Sequence, residues 1–139
     1  AVLDSLLAWR IAPDVIICNA AISACEKGGK WQCAVSLLRS MPSLRLSPRV
    51  VSCNAAISAC EKAEHQWQWA LALLRSMPRL RLAPDVISYN AAISACAREK
   101  GGQWRLALAL LGTMLQSRVA PSLITCNAAI SAACSGTGR

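Results

Sequence analysis

Four asparagines recur at the same point of a repeated phrase in this chain of 139 residues. Asn19, Asn54 and Asn90 each open the heptapeptide Asn-Ala-Ala-Ile-Ser-Ala-Cys, and Asn127 opens a near-copy that runs to Ala132. An amide side chain presents a donor and an acceptor side by side, and four of them in register can hydrogen-bond a repeating partner. The other chemistry-bearing residues form no catalytic set. His65 is the lone histidine, which rules out a Ser-His-Asp arrangement. Glu26, Glu61 and Glu99 stand beside Lys27, Lys62 and Lys100, and are expected to pair with them or face water. Gly28-Gly29 follows a helical pattern and not a strand, so it reads as a helix terminator, not a phosphate loop. The eight cysteines include no C-x-x-C pair. Cys18 and Cys25 on one helix would lie about 10 Å apart, beyond the roughly 7 Å reach of a disulfide. Cys25, Cys60 and Cys96 recur once per unit, as small packing residues do, which suits a reducing intracellular compartment. We expect no enzyme activity, no metal, no cofactor and no small-molecule substrate.

Identical heptapeptides mean one structural unit, copied. Pro13, Pro48, Pro84 and Pro121 fall at intervals of 35, 36 and 37. Each of the first three prolines precedes its cysteine (Cys25, Cys60, Cys96) by 12 positions, and Trp31, Trp67 and Trp104 each precede the next proline by 17. Only the Cys-to-Trp gap grows, from 6 to 7 to 8. Two rigid segments joined by an elastic one describe two helices and a loop. Helix A carries Val15, Cys18, Ile22 and Cys25 on one face, and Ala20, Ala21 and Ala24 let neighbouring backbones approach. Asp14, Ser52, Ser88 and Thr125 are the expected caps of its start. Glycines end it in two units; the second has Ala63-Glu64-His65-Gln66 instead, so helix A is expected to run longer there. Helix B carries Trp31, Ala34, Leu38 and Met41, repeated at Trp67, Ala70, Leu74 and Met77 and at Trp104, Ala107, Leu111 and Met114. Trp and Met at this spacing read as core. Pro42 and Pro78 disfavour helix in the residue before them, whereas Leu115 lets the third helix B continue.

The expected fold is all-α: a right-handed α-solenoid of helix-turn-helix repeats of about 35–37 residues. Residues 1–14 form the C-terminal half of a leading repeat, with Ala1–Ala8 as the end of a helix B. Three repeats follow at 15–49, 50–85 and 86–122, and 123–139 is the first half of a fourth. The chain reads as a piece of a longer array. Fifteen basic residues against seven acidic ones give a net charge of +8, which favours a polyanion as partner. No apolar run reaches the roughly 18–20 residues of a membrane span; Trp69 to Leu74 is closed off by Arg75. No targeting segment is visible.

A unit of this length, with Val86-Ile87-Ser88-Tyr89-Asn90 opening helix A, Ala107-Leu108 in helix B and Val119-Ala120-Pro121 near its end, resembles the pentatricopeptide repeat family. The tetratricopeptide class fits poorly, because here Trp opens the second helix and Tyr-Asn the first. The resemblance implies a reader of single-stranded RNA, one base per unit, in mitochondrial or plastid RNA processing, editing or stability. In that family the fifth residue of the unit and its last residue choose the base, and the second packs against base faces. The fifth residues here are Asn19, Asn54, Asn90 and Asn127. The last residues are Arg49, Asp85 and Ser122, with Asp14 closing the leading half-unit. The second residues are Ile16, Val51, Ile87 and Ile124. Family usage implies uracil for Asn54 with Asp85 and cytosine for Asn90 with Ser122, hence a pyrimidine preference. Asn19 with Arg49 departs from the usual pairs, since Arg accepts no hydrogen bond and suits phosphate better; Asn127 has no last-position partner in the sequence. Arg39, Arg45, Arg75, Arg79, Arg81 and Arg118 are further phosphate candidates.

Three alternatives stand beside this reading. An asparagine in the first turns of a helix can bond locally to backbone. The groove can serve as a protein-interaction scaffold, and a protein effector is a further candidate partner. A fragment with uncapped end units can also fold poorly and do neither.

Overall fold

The computed structural model describes residues 15–98 and 103–137. The leading half-unit with Pro13 and Asp14, and Glu99, Lys100 and the glycines that follow, lie outside the described residues. All regular structure among the described residues is helical. The helices are α1 (Val15–Lys27), α2 (Trp31–Ser40), α3 (Val50–Lys62), α4 (Trp67–Ser76), α5 (Val86–Arg98), α6 (Trp104–Gln116) and α7 (Leu123–Thr137). Odd-numbered helices are copies of segment A and even-numbered ones copies of segment B. Each of α1, α3 and α5 packs on its own B helix, neighbouring A helices pack on one another, and each B helix also packs on the following A helix. This is a helical repeat solenoid.

The two segments bury different fractions of their circumference. The central helix α3 buries Ser52, Cys53, Asn54, Ala56, Ile57, Ala59 and Cys60, because it is covered from three sides. Alanine at 56 and 59 leaves room for backbones to close up. The B helices bury a narrower stripe: Ala34, Val35, Leu37 and Leu38 in α2, and Ala70, Leu71, Leu73 and Leu74 in α4. Ile22, Ile57 and Ile93 are sealed from solvent, as are Met41, Met77 and Met114. The expected A and B stripes therefore form one continuous core. Burial pushes the thiols of Cys53, Cys60 and Cys96 up to about 11, so they pack as neutral groups. Cys25 is only half-buried; burial and the neighbouring Cys33 thiol raise it too.

The links correct several expectations. Helix A is not longer in the second unit: α1 and α3 each span 13 residues. In the second link Ala63 ends the helix in an extended conformation (φ −83°, ψ 141°), and His65 takes the left-handed position (φ 60°) that Gly29 takes before the first helix B (φ 69°). Met41 precedes Pro42 yet is helical (φ −56°, ψ −46°), and Met77 before Pro78 matches it. Full burial of both methionines outweighs the local preference, and the chain tightens into 3-10 turns at Pro42–Leu44 and Pro78–Leu80. Without a proline, α6 does continue, to 13 residues against 10 in α2 and α4. Glu26 and Glu61 do not pair with their sequence neighbours. They bridge to Lys62 (2.6 Å) and Arg98 (2.9 Å) of the next A helix, because stacking brings equivalent helix ends together. Exposed pairs of this kind contribute roughly 0–1 kcal/mol each.

Candidate nucleic-acid interface

Asn19, Asn54, Asn90 and Asn127 are each the fifth residue of an A helix, one turn in from its N-terminus. Ile16, Val51, Ile87 and Ile124 are each the second. Positions three apart share a helix face, so every amide has an aliphatic neighbour on its own helix. Those aliphatic side chains are left in water, at 77%, 63%, 56% and 64% exposure. A Val or Ile gains about 1.5–3 kcal/mol when fully buried, so a row of four that forgoes it is a candidate contact surface.

The last residue of each unit begins the next A helix. The carbonyls of Arg49, Asp85 and Ser122 accept the first helical bonds, from Cys53, Tyr89 and Cys126 at 3.1–3.2 Å, which makes these residues the N-caps. Ser52, Ser88 and Thr125, expected as caps, sit three residues further in. Their hydroxyls accept from the backbone N–H of Arg49 (3.2 Å), Asp85 (3.1 Å) and Ser122 (3.1 Å). At Asp85 the exchange is reciprocal, since the Ser88 N–H donates to Asp85 Oδ1 at 3.0 Å, completing a capping box. Ser122 does the same for Thr125 at 3.4 Å.

The asparagines reach across to this cap of the following hairpin. Asn54 Nδ2 donates to Asp85 Oδ1 at 3.1 Å, and Asn90 Nδ2 donates to Ser122 Oγ at 3.2 Å. The paired positions read from the sequence are thus in direct contact at these two boundaries. Their Oδ1 atoms accept from the hydroxyls of Ser88 and Thr125, and Asn19 Oδ1 accepts from Ser52. These bonds run between hairpins, not to the local backbone. Asn54 is nearly covered, Asn19 and Asn90 are half-exposed and Asn127 is exposed. Arg49 is exposed and, being a guanidinium, offers Asn19 no acceptor. The hydroxyls of Ser52, Ser88 and Thr125 were missed as site residues. The signal was present: a Ser or Thr stands two residues before Asn54, Asn90 and Asn127, whereas Ile17 holds that place before Asn19.

Partial burial of Asp85 pushes its carboxyl up. Hydrogen bonds from Ser88, Asn54 and the Ile87 N–H outweigh that and hold it below the usual carboxylate value. It is therefore a fixed acceptor at neutral pH. Positive charge lies at the same edge. Arg45, Arg81 and Arg118 occupy left-handed positions (φ 59°, 61° and 60°) in the links that lead into α3, α5 and α7. The A-helix N-termini point to this edge and add their own partial positive charge. Arg39 is placed otherwise: its guanidinium lies 5.9 Å from the Trp69 ring, on the B-helix side. Among the described residues no three His, Cys, Asp or Glu side chains could hold a metal ion, and no helix is long and apolar enough to cross a membrane.

Known proteins share this fold. The PPR repeat family matches residues 48–98, and the pentatricopeptide repeat domain matches residues 1–63. The crystal structure of the pentatricopeptide repeat protein PPR10 from maize is similar at a TM-score of 0.78 and 24% identity, covering 92% of this chain and 18% of that one. PPR10 in complex with an 18-nt psaJ RNA element is similar at 0.79 and 22% identity, covering 96% and 20%. The chain thus spans about a fifth of the length of these solved proteins. No curated protein matches it in sequence. Stacked hairpins of 35 to 37 residues, the repeated opening of helix A and two overlapping family matches lead to one assignment: the chain belongs to the pentatricopeptide repeat family.

Proposed function

We propose that this chain binds single-stranded RNA along the N-terminal edge of its A helices, one base to each hairpin, and acts by occupancy rather than catalysis. The observation that carries the reading is the contact of Asn54 with Asp85 and of Asn90 with Ser122, beside a row of exposed aliphatic residues. A base lying on Ile87 or Val51 would bring its edge to such a pair. Asn54 offers an N–H and Asp85 an acceptor, which complements the carbonyl and N3–H of uracil. Asn90 with Ser122 has hydroxyl character in place of the carboxylate, which suits cytosine. Asn19 with Arg49 takes a less selective step, with Arg49 on phosphate. The repeats at 15–49, 50–85 and 86–122 are the reading units. The bound RNA that PPR10 carries in its solved complex is consistent with this use of the fold. Organellar RNA is the proposed target class, with editing, cleavage or protection as the outcome.

Two or three selective units, each worth roughly 1–3 kcal/mol by analogy with base contacts in DNA, give modest selectivity. The test is a titration with labelled decamers of U, C and A at two salt concentrations. We expect affinity that falls steeply with salt, a preference for U and C, and loss of that preference in Asn54→Ala. Absence of binding, or equal binding of all three by the wild type, overturns the reading.

Peptide docking, the second reading, has one observation on its side. A cleft of about 360 Å³ opens between α4 and α6, lined by Leu74, Arg75, Pro78, Pro84, Leu110 and Thr113 among others. Its counterpart one repeat earlier uses Leu38, Arg39, Pro42, Pro48, Leu73 and Ser76. A protein that ignores RNA but binds peptides through these clefts would favour it.

A further inference from the structure

The hydroxyls of Ser52, Ser88 and Thr125 are absent from the base-reading set, yet each touches an asparagine of that set. All three are sealed from solvent. Each hydroxyl already accepts from a backbone N–H, that of Arg49, Asp85 or Ser122. A hydroxyl has one proton. With its acceptor side occupied by the N-cap, that proton is directed at Oδ1 of Asn19, Asn54 or Asn90 in the preceding hairpin. At the second boundary the Asp85 Oδ1, 3.0 Å from Ser88 Oγ, competes for it.

The two ends of an amide are easily exchanged when nothing around them distinguishes oxygen from nitrogen. Here the surroundings do. A donor stands at the Oδ1 end in all three cases. An acceptor stands at the Nδ2 end in two: the Asp85 carboxylate, which cannot donate when ionised, and Ser122 Oγ. At the first boundary Arg49 supplies no acceptor, so among the described residues the polarity of Asn19 rests on Ser52.

We propose that Ser52, Ser88 and Thr125 are positioning residues that fix the polarity of the base-reading asparagines, committing each amide to face a base as a donor. The relay runs from the N-cap N–H, through the hydroxyl, to Oδ1, and leaves Nδ2 with the proton that is not given to the partner. Selectivity for a base that offers an acceptor then depends on a residue that never meets the base. Helix start and amide orientation share one hydroxyl, so the register of an A helix and the chemistry of the preceding unit are set together. This proposal rests on the RNA-binding reading.

The experiment measures binding of the U, C and A decamers to Ser88→Ala, Thr125→Val, Ser88→Thr and Thr125→Ser, with thermal melts of each. Loss of the hydroxyl is expected to lower the preference for U or C over A by about fivefold or more, within the range of one lost base contact. The two swaps that keep a hydroxyl retain it, as the Thr already present at position 125 implies. A merely structural role lowers affinity for all three decamers by one factor and leaves their ratio unchanged; that result overturns the proposal. Should Ser88→Ala fail to fold, Ser88→Cys keeps the shape with a weak donor and must show the same reduced ratio, an unchanged ratio being fatal. A wild type that binds no RNA, or shows no preference, instead removes the underlying reading.

Discussion

The first two boundaries between hairpins are built from the same heptapeptide and differ chiefly at one residue. Between α1 and α3, Asn19 meets Ser52, and the cap is Arg49. Between α3 and α5, Asn54 meets Ser88, and the cap is Asp85. The hydroxyl bond to the asparagine is present in both. The amide-to-cap bond and the return bond from cap to helix are recorded at the second. The hydroxyl contact thus survives a change of cap chemistry, while the donor–acceptor pair needs a cap side chain that accepts, the carboxylate of Asp85 here as the hydroxyl of Ser122 at the next boundary. On the proposed reading, one architecture carries one boundary that selects a base and one that attracts phosphate.

The largest effect should come from removing what both boundaries share. Ile57 lies in α3, between them, and is sealed from solvent. Ile57→Ala is expected to cost about 2–5 kcal/mol, the range for buried large-to-small changes. Denaturant unfolding should show it, and RNA binding should fall for every decamer together. A loss confined to one base would mean that the boundaries do not rest on a common core.

A smaller effect should separate the two. Asp85→Ala removes a capping side chain, worth about 0.5–2 kcal/mol, and the acceptor of Asn54 as well. Arg49→Ala removes a side chain that caps nothing, so its stability change is expected within about 0.5 kcal/mol. Melting the two variants side by side checks this. Equal losses would break the comparison.

Much of this contrast was legible in the sequence, and what was not has a physical cause. The periodic prolines, the invariant Pro-to-Cys and Trp-to-Pro distances and the apolar stripes determine the hairpin, and Ile22, Ile57 and Ile93 are buried where the stripe puts them. The pairing of Asn54 with Asp85 followed from the family resemblance, not from local pattern, because the two are 31 residues apart. The cap was misplaced onto Ser52, Ser88 and Thr125. Either member of a capping box looks like an N-cap in sequence, and only the first helical bond tells them apart. The length of α3 was misjudged because an extended Ala63 stops the helix without a glycine, and nothing local announces that alanine as a cap. Glu26 and Glu61 found partners on the next helix, since stacking distance, not sequence distance, decides which charges meet.

Acidity should distinguish the boundaries too. The folded Asp85 carboxyl titrates below its ordinary value near 3.8. Its contribution is therefore fully present above the unfolded value and is lost as the pH falls through the lower, folded one. The stability gap between the wild type and Asp85→Ala should hold from pH 7 to about 5 and close below roughly pH 3.8. The gap between the wild type and Arg49→Ala should stay flat, because neither Arg49 nor its replacement carries a carboxylate. Melting curves across this window decide it.

The finest test rebuilds one boundary as the other. Arg49→Asp places a carboxylate where the Ser52 relay already stands, three residues ahead of it as Asp85 stands ahead of Ser88. The Ser52 N–H should then find a cap, and Nδ2 of Asn19 should find the acceptor that Arg49 cannot supply. A cap contributes about 1 kcal/mol, so the melting temperature should rise slightly. Binding should respond in the opposite sense at low salt. Removing a phosphate contact from a single-stranded site lowers the slope of log affinity against log salt by about 0.7, so overall affinity drops while the preference for U over A grows. A stabler protein that binds less tightly and chooses more sharply would show that the cap residue alone separates the two boundaries. If stability and preference stay as they were, neighbours of Arg49, such as Arg45 in the same link, must hold Asn19 in a geometry that a carboxylate cannot use.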